Sequence, residues 1–112
     1  MSHPLAALFD DDEPITRVVS IRKKKDGTHE HCDVRIDRGT IWGNPYSHLP
    51  NSAAKWRVAT REEAIAKYRE YILTRPDLLA KLGELKGKIL GCWCKPKACH
   101  GDVLVELIND GY

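Results

Sequence analysis

Apolar and polar positions change period several times along this chain, and each change marks an element. Thr16 to Lys24 (TRVVSIRKK) is β-branched before it turns basic, Asp26-Gly27 is a turn signal, and Cys32 to Ile36 alternates again. That pattern predicts a β-hairpin or two neighbouring strands. Ala64, Ile65, Tyr68 and Ile72 recur at helical spacing, with Arg61, Glu62, Lys67 and Glu70 on the watered side. Thr60, with Glu63 three residues on, supplies the cap and capping box of that helix. Pro76 ends it or opens the next, where Leu78, Leu79, Leu82 and Leu85 repeat until Gly87. Lys88 to Trp93 (KILGCW) is a short apolar run, which reads as a buried strand. From Gly101 a last helix carries Val103, Leu104, Leu107 and Ile108 on its inner face and stops at Gly111. The order predicts an α/β fold, a small single-domain sandwich with a short mixed sheet, about three helices and at least one parallel pair.

Two stretches have no regular period. Residues 1–14 end in the acidic run Asp10 to Glu13 and Pro14, and read as a disordered acidic arm; residues 15–112 then form the single α/β domain. Residues 37–59 (DRGTIWGNPYSHLPNSAAKWRVA) mix glycine, proline and asparagine with large aromatic side chains. The breakers predict a long loop, and the aromatics predict that it is ordered. Long ordered loops in compact domains tend to carry function.

Composition narrows the functional classes. The net charge of +2 gives no global signature of a nucleic-acid binder and leaves room for local basic patches. Arg22 to Lys25 is one such cluster, read first as a solvated hairpin tip and second as a phosphate contact. No apolar run approaches the roughly 18 residues that cross a bilayer, and the N-terminus lacks the features of a secretory signal, so no membrane partner is expected. A reducing cytoplasm follows, with cysteines held as thiols or as metal ligands. Cys92 and Cys94, two apart on one strand, are poorly placed to bridge each other, which argues against a disulfide framework.

Candidate chemistry concentrates in residues 91–102, GCWCKPKACHGD. A strand, short loop and helix in that order place the loop at the carboxyl edge of a sheet, where open α/β folds bind ligands. The helix N-terminus favours an anion, and Lys95 and Lys97 add positive charge. On one reading Cys99, His100 and Asp102 form a catalytic constellation, with the Cys99 thiol depressed by the helix start and nearby cations. On a second, Cys92, Cys94, Cys99 and His100 are a Cys3His zinc site, although this spacing is not a common one and two adjacent ligands must bend onto one ion. Cys32 is a candidate substitute ligand if its strand lies alongside. On a third, the cysteines are only small buried apolar groups.

The second candidate is residues 37–46, DRGTIWGNPY. Arg38 can clamp a phosphate, Gly39 and Gly43 permit close backbone approach, and the Asn44 carboxamide can read a base edge or a ribose. Trp42 and Tyr46 can stack on a planar ring. Against this, Asn44-Pro45 is also a turn initiator, and a tryptophan is most often core.

Together, Arg38, Gly39, Trp42, Gly43, Asn44, Pro45 and Tyr46, followed by Cys92, Cys94, Pro96, Cys99, His100 and Asp102, make the chain resemble a known group. It is similar to a small family of phage and bacterial proteins classed as a domain of unknown function. Their paired segments are R-G-x-x-W-G-N-P-[FY] and C-x-C-x-P-x-x-C-H-x-D, and the likeness spans roughly residues 17–108. Asp37 departs from it, standing where a glycine is commoner. The resemblance implies a phage or bacterial setting and supplies no reaction.

The leading expectation is a cleft between the two motif loops that binds a nucleotide or a nucleic-acid phosphate. Arg38 with Lys95 would be the anion clamp. Any chemistry would be a transfer or hydrolysis step, with Cys99 or Asp102 as nucleophile or base and His100 as its acid/base partner. The alternative is a zinc-stabilised binding module that modulates a host protein or nucleic-acid complex.

Overall fold

The computed structural model describes residues 15–50 and 54–112, so the expected arm at residues 1–14 lies outside the described residues. Among the described residues, five strands and three α-helices follow in the order β1 (Arg17–Ser20), β2 (Val34–Arg35), β3 (Tyr46–Ser47), β4 (Trp56–Arg57), α1 (Arg61–Leu73), α2 (Pro76–Leu79), a 3-10 turn (Leu82–Leu85), β5 (Ile89–Cys92) and α3 (His100–Asn109).

The first two strands form neither the expected hairpin nor a neighbouring pair. β5 lies between β1 and β2 and runs parallel to both, with Val18 and Val34 each level with Leu90. The cause is visible in β5 itself: Leu90, Gly91 and Cys92 are all buried, and a strand covered on both faces takes the centre of a parallel sheet. Both sheets are therefore parallel rather than mixed. The second, β3 beside β4, pairs Tyr46 with Trp56 and Ser47 with Arg57 inside the stretch expected to be a long ordered loop.

α1 starts where the capping pattern placed it. The Thr60 hydroxyl accepts from the Glu63 N–H at 3.0 Å, and the Glu63 carboxylate accepts from the Ala59 N–H at 2.9 Å, one residue before the cap. Its stripe of Ala64, Tyr68 and Ile72 packs into a core with Leu78, Leu82, Leu85, Leu90, Val103, Leu104 and Leu107. Burial of each large apolar side chain contributes about 1.5–3 kcal/mol relative to exposure.

Two glycines set how close the layers come. A Cβ on Gly101 would lie 2.7 Å from Ile36 Cδ1 and 2.9 Å from Val18 Cγ2, so the first turn of α3 sits directly on the sheet. A Cβ on Gly91 would lie 2.6 Å from Cys32 Sγ. Successive residues of a strand face opposite ways, so Cys32 packs on the side of β5 away from Cys92. Among the described residues, no helix is long and apolar enough to cross a membrane.

Candidate functional site

All three strands of the main sheet point their carboxyl ends at the start of α3, and the conspicuous side chains collect there. Cys92 ends β5, Cys94 follows in the turn, Cys99 is the N-cap of α3 and His100 its first residue. Ligand atoms of Cys92, Cys99 and His100 all lie within 4.8 Å of one another. Cys94 packs against the same core and interacts with the Cys92 and Cys99 sulfurs. The adjacent Cys99 and His100 reach one cluster because Cys99 is extended (φ −148°, ψ 169°) where the helix begins, so the chain changes direction between them. All four cysteines are free thiols.

The cluster is ordered from behind. His100 is 7% exposed, and its Nε2 lies 2.6 Å from the Ile36 carbonyl oxygen. An oxygen that only accepts requires Nε2 to carry the proton, which leaves the Nδ1 lone pair available. Burial pushes the His100 pKa down, more than the Ile36 bond raises it, and keeps the ring neutral. Tyr68 packs edge-on against the imidazole with centroids 4.9 Å apart, and its hydroxyl donates to the Trp42 carbonyl at 2.7 Å. Asp102 caps rather than faces the thiols: it accepts from the Cys99 N–H at 3.1 Å and from Lys95 Nζ at 2.5 Å.

The three sulfurs do not share equally. The Cys94 thiol is held well below its ordinary range by hydrogen bonds from the Cys92 and Cys99 thiols and, after them, by the Arg61 guanidinium. The Cys99 thiol is pushed up by the neighbouring Cys92 and Cys94 sulfurs and by burial. The helix start acts on Cys99 as expected, since the Gly101 N–H donates to its sulfur at 3.2 Å. That single donor is outweighed, and the thiolate character falls on Cys94.

Above this floor opens a cleft of about 220 Å³ that brings the two motif loops together, with both Asn44 and Cys99 in its wall. Arg22 enters from the end of β1, Asp37 and Arg38 from the end of β2, Arg61 from the start of α1, and Trp93 and Lys97 from the turn after β5. Among the described residues Asp37 is the one carboxylate in the lining, and it is taken up by an ion pair with Arg35 and by the Trp93 indole N–H at 3.1 Å.

Other residues singled out in the sequence sit elsewhere. Trp42 is 4% exposed in the core, and Gly39 is exposed with open space around it. Gly43 is needed by the loop itself, since a Cβ there would lie 2.7 Å from Arg38 Cα. Lys95 faces a neighbouring groove. Asn44 lines the cleft while its amide donates to the Ala64 carbonyl and accepts from the Tyr46 N–H, both at 3.0 Å. Arg61 and Trp93 are cleft residues that pattern alone did not single out, and Arg22, read from sequence as part of a solvated tip, joins them. Arg22 comes to the site only through the parallel pairing of β1 with β5, and Arg61 only through the packing of α1 beside α3.

Fold and site together define a small α/β domain with a thiol-floored, cation-walled cleft at the carboxyl ends of parallel strands. Residues 19–110 match the family described as Domain of unknown function (DUF4326), and the chain belongs to it. It is 38% identical over 81 residues to an uncharacterized 12.4 kDa protein from the nrdA-td intergenic region of Enterobacteria phage T4, an alignment covering 69% of this chain and 68% of that protein. It is also 33% identical over 101 residues to an uncharacterized protein of Acanthamoeba polyphaga mimivirus, covering 80% of this chain and 77% of that protein. No solved structure matches the chain.

Proposed function

We propose that this protein binds a nucleotide or a nucleic-acid phosphate in the cleft between the 37–46 and 91–102 loops. One observation carries the reading: Arg22, Arg38, Arg61 and Lys97 line a single cleft in which Asp37, the one carboxylate among the described lining residues, is already paired. Like charges gathered in one recess repel one another and favour an anion that neutralises them. The site lies where parallel α/β sheets bind ligands, beside the N-terminus of α3. Tyr46 and the 46% exposed Trp93 add ring surface for a base. Isothermal titration with nucleoside mono- and triphosphates, beside inorganic phosphate, tests this. Saturable binding is expected, weakened about tenfold by Arg61→Ala, the size of one lost charge-assisted hydrogen bond. Heat-silent titrations with a folded protein would contradict it.

A second reading, favoured by the cluster of Cys92, Cys99 and His100, is a zinc site that Cys94 completes. Three thiols and one imidazole are soft and borderline donors that suit zinc. The Nε2–H bond to Ile36 is the kind of outer contact that fixes the tautomer of a metal-bound histidine. On this reading the domain is a zinc-stabilised module of phage type acting on a host complex in the cytoplasm. The two readings are compatible in space, because the thiols form the floor of the cleft and the cations its walls.

A further inference from the structure

The anion cleft does not end at its own rim. A second groove of about 400 Å³ is lined by Arg22, Lys23, Lys24, Glu30, Lys95 and Pro96, and Arg22 lines both. Its carboxylate, Glu30, is 3.5 Å from Lys24, which leaves the groove cationic. Arg22 is held at the junction by its Nε, which donates to the Trp93 carbonyl at 2.7 Å. The hairpin-tip cluster read from sequence as solvated thus continues the charge of the cleft.

Exposed rings accompany the charge. Trp93 is 46% exposed, with its indole N–H fixed on Asp37 at 3.1 Å. Tyr46, also in the cleft wall, stacks on Trp56 with centroids 5.0 Å apart. Trp56 is 43% exposed and has Lys55 Nζ 4.7 Å from its ring centre. A single phosphate would need neither the second groove nor indoles at the surface.

We infer that the natural ligand is a single-stranded polynucleotide, whose backbone follows the joined grooves past Arg22 and whose unpaired bases stack on Trp93 and on the Tyr46–Trp56 pair. This rests on the phosphate-binding reading of the cleft and extends it. Basic grooves edged with aromatic rings are how proteins hold single strands, because every base offers a ring face. A duplex keeps those faces stacked inside, and a net charge of +2 offers no broad surface for its two backbones.

The test is fluorescence anisotropy with an oligothymidylate of about 12 nucleotides, run beside calorimetry with thymidine monophosphate and with a duplex of equal length. The single strand should bind at least tenfold tighter than either. The Lys23→Ala/Lys24→Ala variant changes two exposed side chains outside the first cleft. It should weaken the oligonucleotide about tenfold and reduce its salt slope by about 0.7, the share of one phosphate contact in a single strand. Lys24 already neutralises Glu30, so among the described residues Lys23 is the unpaired cation of the two. Monophosphate binding should stay as it was. Equal affinity for strand and monophosphate, or a double variant that leaves the strand unaffected, would overturn the track while keeping the cleft. Tighter binding of the duplex would overturn the single-strand assignment. Absence of binding by every ligand would remove the cleft reading and this inference together.

Discussion

Replacing Asn44 by alanine separates a structural from a ligand-reading role for the most suggestive side chain of the first loop. Asn44 is 8% exposed and ties the loop to α1, donating to the Ala64 carbonyl and accepting from the Tyr46 N–H, each at 3.0 Å. Alanine removes both bonds. A net hydrogen bond is worth about 0.5–1.5 kcal/mol, and the half-buried Tyr46 N–H left behind adds desolvation cost. The expected loss is about 2 kcal/mol, or roughly 10 °C of melting temperature for a domain of this size. Asn44→Asp adds a sign test. At neutral pH the new carboxylate faces the Ala64 carbonyl and is poorly hydrated, whereas its protonated form can donate there. Its folded pKa is therefore raised above the unfolded value near 4. The penalty is fully present at pH above the folded pKa and is relieved as pH falls towards the unfolded one. Thermal melts by circular dichroism across pH 3–8, on about 10 μM of each variant, measure both effects. An Asn44→Ala protein that melts with its parent yet loses ligand would show that the amide reads the ligand and that the loop-pin argument is wrong.

In metal-free protein near neutral pH, Cys94 should alkylate before Cys92 and Cys99, because its thiol is lowered by its neighbours and by Arg61 while theirs are raised; peptide mapping after a short exposure to iodoacetamide reads the order, and Cys99 reacting first would refute it. If zinc occupies the cluster, native mass spectrometry should find one equivalent, chelator should lower the melting point sharply, and all three thiols should be protected until it is added. Asp37 predicts an acid limb: burial raises its pKa, but hydrogen bonds from Arg35 and Trp93 outweigh this and hold it below the ordinary value. Its contribution is present above the unfolded pKa and lost as pH falls through the folded one, so Asp37→Asn should flatten the stability profile below about pH 4. An unchanged acid limb would mean that the Arg35–Asp37–Trp93 network adds no stability.

Elements that bury a stripe were legible in the sequence, because period and caps are local properties. The stripe of α1, the Leu78 to Leu85 repeat, the buried strand and the inner face of α3 all follow from residues a few positions apart. Strand order was not legible, since Val18 and Val34 meet Leu90 across the sequence and nothing local says that β5 lies between them. The two candidate stretches were legible by their excess of cysteine, glycine and aromatic residues, but the roles within them were not. Asn44 looks the same in sequence whether its amide meets a ligand or the Ala64 carbonyl. The Cys99 thiol was expected to be the acidic one from its helix position. The neighbouring sulfurs that reverse this come together only when the turn after β5 folds back on the helix start.

The central claim is that the two motif loops form one anion-binding cleft. Amide chemical shifts during titration with a nucleoside triphosphate test it most directly. The account predicts saturable changes at Arg22, Asp37 to Asn44, Arg61 and Cys92 to His100, with the far ends of α1 and α3 undisturbed. Changes that cluster away from these residues, or none at saturating nucleotide, would contradict it.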